Sequence, residues 1–207
     1  MISIVQTYTH YTDTRSDINE HMPTLFNYAK KCERILELGV RGCVSSWAFA
    51  RGLLENGMDQ KYLFCNDLVP CNISTLVKQC MLNDITVEHK WCSDLDLEFE
   101  KGSFDLVFID TFHVYGQLKR ELQKFGEISK KYIIMHDTTV DSVGGEALRS
   151  GFNIQHMCNV TGFPREEIVT GLQPAIDEFL AENPIWSIEE VFTNNNGLTI
   201  LKRVDTD

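Results

Sequence analysis

Asp110-Thr111-Phe112-His113 and His136-Asp137 are two short acid–imidazole groups, and each closes an apolar run. Two carboxylates brought side by side repel, and one pKa rises. A divalent cation between them removes that conflict. Mg2+ commonly takes one or two protein carboxylates and keeps waters that a hydroxyl can displace. A cation so held acts as a Lewis acid on that hydroxyl. Imidazole beside carboxylates also suits Mn2+, Fe2+ or Zn2+. Asp110, His136 and Asp137 are therefore the candidate metal ligands, with Mg2+ the first expectation and Mn2+ the second. His113, with an unperturbed pKa near ~6.5, is the candidate base for a hydroxyl proton.

A further acid stands beside a glycine turn. In Glu37-Leu38-Gly39-Val40-Arg41-Gly42-Cys43-Val44-Ser45 the glycines fall between a strand end and a helix start, where a cofactor can come close to the backbone. A dinucleotide fingerprint needs Gly-x-Gly-x-x-Gly, and only Gly39 and Gly42 are present, so a pyrophosphate would find a poor nest. Glu37 also opposes bound phosphate by like charge and suits a cationic head. S-adenosylmethionine has such a head, and a ribose diol that a strand-end acid can grip. Asp67, thirty residues after Glu37 and one βαβ unit later, stands where that ribose would lie. Glu37, Gly39, Arg41, Gly42, Asp67 and Asp110 are the candidate cofactor-facing residues of this rim.

The elements that must position these groups follow from hydrophobic pattern. Ile35 to Glu37, Tyr62 to Asp67, Leu106 to Asp110 and Tyr132 to Asp137 are apolar runs ending on acids, and the strands Arg34 to Leu38, Tyr62 to Asn66, Phe104 to Asp110 and Tyr132 to Asp137 read as parallel strands buried on both faces. A weaker strand is expected at Ile85 to Trp91. Helical spacing covers Leu25 to Cys32 behind Pro23, Trp47 to Leu54 capped by Ser45 or Ser46 and stopped by Gly57, Ile73 to Met81 capped by Asn72, and Val114 to Ile128. Strand and helix alternate, which implies right-handed parallel crossovers. Residues 138–170 are rich in Gly, Thr, Asn and Ser without sustained periodicity and read as a long functional loop, a substrate rim or lid. A helix from Pro174 to Ala181 and a hairpin of Ile185 to Thr193 with Leu198 to Val204 close the chain.

At 207 residues the chain reads as a single domain, 1–207, large enough to bury a core without staples. Seven cysteines with no Cys-x-x-Cys spacing read as reduced thiols. The net charge of −11, without Lys/Arg clusters, argues against a nucleic-acid partner. No signal peptide or membrane span is read, so the expected setting is cytoplasmic. A homodimer is compatible with the sequence, which does not demand one.

On Glu37-Leu38-Gly39, Ile109-Asp110 and His136-Asp137-Thr138 the chain resembles the class I S-adenosylmethionine-dependent methyltransferases. The likeness runs from Ser16-Asp17-Ile18-Asn19-Glu20-His21 to the Asn-Asn-Asn-Gly-Leu-Thr turn. It is closest to the cephalosporin hydroxylase-like and macrolide-sugar O-methyltransferase-like branch, with catechol O-methyltransferase more distant. The resemblance implies a Rossmann-like, doubly wound α/β fold whose seven-stranded, mainly parallel sheet has an antiparallel last strand. It implies that Ser45 meets the methionine carboxylate, Asp67 the ribose, and Ser93 with Asp94 the adenine. It also implies an acceptor that is a sugar, nucleotide-sugar or similar polyhydroxylated metabolite, with a phenol as alternative. Arg149, His156 and Arg165 could greet a phosphorylated sugar. Relatives place a glycine where this chain has Cys43. A nicotinamide-dependent oxidoreductase and a non-catalytic binding protein are the rival classes.

Overall fold

The computed structural model describes residues 3–204. Seven strands form one sheet in the order β3-β2-β1-β4-β5-β7-β6. They are β1 (Arg34–Leu38), β2 (Tyr62–Asp67), β3 (Thr86–Trp91), β4 (Phe104–Ile109), β5 (Ser129–His136), β6 (Trp186–Phe192) and β7 (Leu198–Arg203). β1 through β5 pair parallel, and β7 lies antiparallel between β5 and β6. The fold expected from the sequence is therefore the observed one.

Alternation along the strands supplies two cores. Ile35, Leu106, Phe108 and Ile134 face α2 (Met22–Ala29), α3 (Val44–Glu55) and α4 (Ser74–Met81). Leu36, Leu38, Val107, Ile109, Ile133 and Met135 pack instead under α5 (Tyr115–Ile128) and α9 (Gln173–Glu182). β1 is flanked by β2 on one side and β4 on the other, so the strand order reverses between β1 and β4. A ligand crevice of an open α/β sheet lies at the carboxyl ends of such strands.

Four local expectations are corrected. α1 (Ile4–Asp13) precedes the first helix read from the sequence; Ile4 is its one buried residue, too little apolar signal to announce a helix. Residues 138–170 are not a structureless loop but carry α6 (Glu146–Arg149), α7 (Ile154–Thr161) and α8 (Arg165–Val169). Neither Ser45 nor Ser46 caps α3; Cys43 holds the cap position and makes no side-chain cap bond. Asn72 does not cap α4, whose cap position is Ile73, and its Oδ1 instead accepts the Ser74 N–H at 3.3 Å. Among the described residues no helix is long and apolar enough to cross a membrane.

Candidate active site

The turn after β1 is shaped by its neighbours. Gly39 stands at φ +89°, and a Cβ there would fall 1.9 Å from the Asp110 carbonyl oxygen. Asp67, at the end of β2, clamps the same turn: its Oδ2 accepts the N–H groups of Val40 at 3.0 Å and Arg41 at 2.8 Å. Its Oδ1 accepts the Val69 N–H at 3.1 Å. Gly42 looks into open space, with nothing within 4 Å of a Cβ built on it. Arg41 reaches across to the Asp17 carboxylate. Cys43 has φ 59°, the left-handed region that glycine adopts readily.

Glu37 lies beneath this turn with no exposure to solvent. Ser45 Oγ donates to its Oε1 at 2.6 Å and Ser46 Oγ to its Oε2 at 2.7 Å. Burial pushes its pKa up to about 7, against the hydrogen bonds of Ser45, Ser46 and Cys65, which pull it down. The Ser45 hydroxyl is thus turned inward to Glu37.

Just past the end of β3, Ser93 is half-buried and Asp94 is buried. Gln117 Nε2 donates to Asp94 Oδ1 at 3.0 Å and to Glu121 Oε1 at 2.9 Å. Burial, then the Asp94 charge, hold the Glu121 pKa well above the usual carboxyl range.

Asp110, His113, His136 and Asp137 converge where β4 and β5 end side by side. One donor atom each of Asp110, His113 and Asp137 lie within 4.8 Å of one another. His113 Nε2 is 3.1 Å from Asp110 Oδ1, and its Nδ1 is 2.9 Å from Asp137 Oδ2. Asp141 Oδ2 and Glu146 Oε2 also face Nδ1, at 3.5 and 3.6 Å. His136 Nδ1 sits 3.2 Å from Asp110 Oδ1, while its Nε2 meets the carbonyls of Asp17 and Asn195, each at 3.2 Å.

Burial would lower the His113 pKa, but the carboxylates of Asp110, Asp137 and Asp141 outweigh it and raise it well above the usual imidazole range. Burial likewise opposes ionisation of Asp110, yet bonds from His113 and His136 hold its pKa below the usual carboxylate range. His113 Nδ1 and Asp137 Oδ1 are buried and have no hydrogen-bond partner. Asp137 has φ 57°. Carboxylates, imidazoles and two unsatisfied buried atoms make a donor set that fits a divalent cation.

Asp110, His113, His136 and Asp137, singled out in the sequence, are brought together by the fold, but the groups behind them were not singled out. Asp141 is fully buried and takes Arg149 through two bonds, Nε–Oδ1 at 2.7 Å and Nη2–Oδ2 at 2.8 Å. Arg149, its side chain 41% exposed, is thus paired within the protein. His156 and Arg165 are exposed. Asn195, in the β6–β7 turn, receives the Glu20 N–H at 3.0 Å and donates to the Ser16 carbonyl at 2.9 Å, so the amino-terminal segment and the hairpin close one side of the site. A repeat of acids at Asp137 and Asp141 was the one available signal.

No protein-family model and no curated protein matches the chain. Solved structures do. The O-methyltransferase TomG from Streptomyces achromogenes, involved in tomaymycin synthesis and solved with S-adenosylmethionine, matches with TM-score 0.59 and 14% identity over 98% of this chain and 88% of its own. An O-methyltransferase from Bacillus cereus in complex with S-adenosylhomocysteine gives TM-score 0.58 and 16% identity over 98% and 89%. The 1,6-didemethyltoxoflavin-N1-methyltransferase of Burkholderia thailandensis gives TM-score 0.57 and 14% identity over 97% and 85%. Oxygen and nitrogen acceptors both occur among these neighbours. Strand order and these likenesses together give the chain the class I S-adenosylmethionine-dependent methyltransferase fold.

Proposed function

We propose that the protein is a single-domain S-adenosylmethionine-dependent O-methyltransferase acting with a divalent cation on a small hydroxylated metabolite. The observation that carries this reading is the convergence of Asp110, His113 and Asp137 at the strand ends, where the Asp110 backbone packs directly against Gly39. When bound, the cofactor supplies an electrophilic methyl carbon and the cation lowers the pKa of an acceptor hydroxyl.

The chain's residues do the rest. Gly42 leaves room for the methionine end, Glu37 and Ser45 form the polar floor beneath it, and Asp67 offers its remaining lone pairs to the ribose. Leu68 and Val69, both exposed beside Asp67, give an apolar surface suited to a purine. Ser93 and Asp94 take the adenine edge. Arg41, with Asp17, covers the turn.

Asp110 and Asp137 would hold the cation that orients the acceptor, and His136, with both ring nitrogens engaged, would brace Asp110. With a methyl donor bound, the acceptor oxygen would bond to the methyl carbon as the carbon–sulfur bond breaks, and the hydroxyl proton would pass to a rim carboxylate such as Asp137 and on to solvent. Both His113 nitrogens face carboxylates, so neither is turned toward an acceptor, which argues against the base role expected from sequence. Positioning of this kind is worth roughly 7–11 kcal/mol of barrier.

Residues 138–170 form the proposed acceptor rim. A sugar or nucleotide-sugar is the acceptor implied by the resemblance. A phenol is the second reading, favoured by Val143, Leu148 and Phe152, three exposed apolar residues in the segment that also carries Asp141 and Glu146. Incubation with S-adenosylmethionine and matched panels of sugars, nucleotide-sugars and phenols, read by mass spectrometry, tests this: a methylated product in one panel is expected. S-adenosylhomocysteine formation only with amines would contradict it.

A further inference from the structure

We propose that His113 is a metal ligand rather than a base, and that its site selects a first-row transition dication of the Mn2+ or Zn2+ kind over Mg2+. This deepens the reading of the Asp110–Asp137 cluster given above. Four carboxylates, those of Asp110, Asp137, Asp141 and Glu146, lie within 3.6 Å of the His113 ring nitrogens. Among the described residues, Arg149 is bonded to Asp141, and Arg41 adds positive charge toward Asp110 and Asp137. Against a neutral, mostly buried imidazole, the four carboxylates outnumber these two guanidinium groups.

His113 Nε2 is engaged by Asp110 at 3.1 Å. That arrangement, a carboxylate behind one ring nitrogen, orients the other nitrogen toward a metal. The other nitrogen, Nδ1, is buried, lacks a hydrogen-bond partner, and lies 2.9 Å from Asp137 Oδ2. Asp137 Oδ1 is likewise unpartnered. Donors bound at about 2.0–2.2 Å to one ion, at right angles, stand about 3.0 Å apart. The Nδ1–Oδ2 spacing is that of two adjacent ligands. A second imidazole, His136, has its Nε2 fixed by two carbonyls and its Nδ1 turned to Asp110.

Mg2+ is bound chiefly through oxygen and keeps much of its water, whereas imidazole nitrogen favours Mn2+, Fe2+ and Zn2+. The donor set here is nitrogen-bearing.

The test uses the full chain stripped with chelator and dialysed, titrated calorimetrically with Mn2+, Zn2+ and Mg2+ without any methyl donor. One site per chain is expected, with Mn2+ and Zn2+ binding at least about tenfold more tightly than Mg2+. His113→Ala should remove that preference, and His113→Gln should do the same if the alanine variant does not fold. Bound Co2+ should give visible absorption bands that change in either variant. Equal or tighter Mg2+ binding, unchanged Mn2+ and Zn2+ affinity in the variants, or no binding of any dication would overturn the proposal. S-adenosylhomocysteine binding, measured in chelator, separates the two readings: its absence alongside metal binding would sink the methyltransferase assignment and leave this one standing.

Discussion

The carbonyl oxygen of Asp110 occupies the space where a Cβ on Gly39 would sit, 1.9 Å away, so the end of β4 rests directly on the turn that follows β1. The two residues lie on neighbouring strands at the point where the strand order reverses. A single glycine therefore sets both the shape of the turn after β1 and the position of the candidate metal acid. Gly39→Ala combines this clash with a left-handed φ of +89°. It should destabilise the protein by at least about 3 kcal/mol in urea unfolding. A loss below about 1 kcal/mol would show that the strand ends can separate.

Glu37 makes stability depend on pH in a defined direction. Its folded-state pKa is raised from 4.5 to about 7, so the folded protein holds a proton that the unfolded chain gives up earlier. The contribution is complete below about pH 4.5 and is lost as pH rises through about 7, a span worth roughly 3 kcal/mol. Glu37→Gln, which cannot ionise, should gain on the wild-type chain by about that amount between pH 5 and pH 8 in the absence of cofactor. Parallel stability profiles for the two proteins would mean that Glu37 is ionised when folded.

Arg149 should matter to stability more than an exposed arginine normally does. Removing it strands the Asp141 carboxylate, which is fully buried and faces His113. Arg149→Ala should cost about 2–3 kcal/mol, with Arg149→Lys recovering part of it. An unchanged melting temperature would identify the pair as a surface ornament of the fold.

The strands that carry Glu37, Asp67, Asp110 and Asp137 were legible because each is buried on both faces and so reads as an unbroken apolar run. The edge strand β3 was fainter, since most of Thr86 to Trp91 is exposed or half-buried. The helices of 138–170 were invisible for physical reasons: α6 and α8, at 4 and 5 residues, hold too few turns for a period to register, and α7, though 8 residues long, buries none of its residues. Ser45 and Ser46 look like helix caps in sequence because capping is a local rule. Their actual partner is Glu37, eight and nine residues earlier, on the neighbouring strand. Asp141 and Glu146 were missed likewise, because only the folded segment turns them onto His113.

A cationic methyl donor is expected to lie along the acidic ends of β1, β2 and β4. Calorimetry of the purified chain with S-adenosylmethionine and S-adenosylhomocysteine, with NAD as a control, addresses it most directly. One site per chain is predicted for both adenosyl compounds and none for NAD, with Asp67→Ala weakening binding at least about tenfold through the lost ribose and turn contacts. Binding of NAD without either adenosyl compound, or adenosyl binding indifferent to Asp67→Ala, would contradict the account.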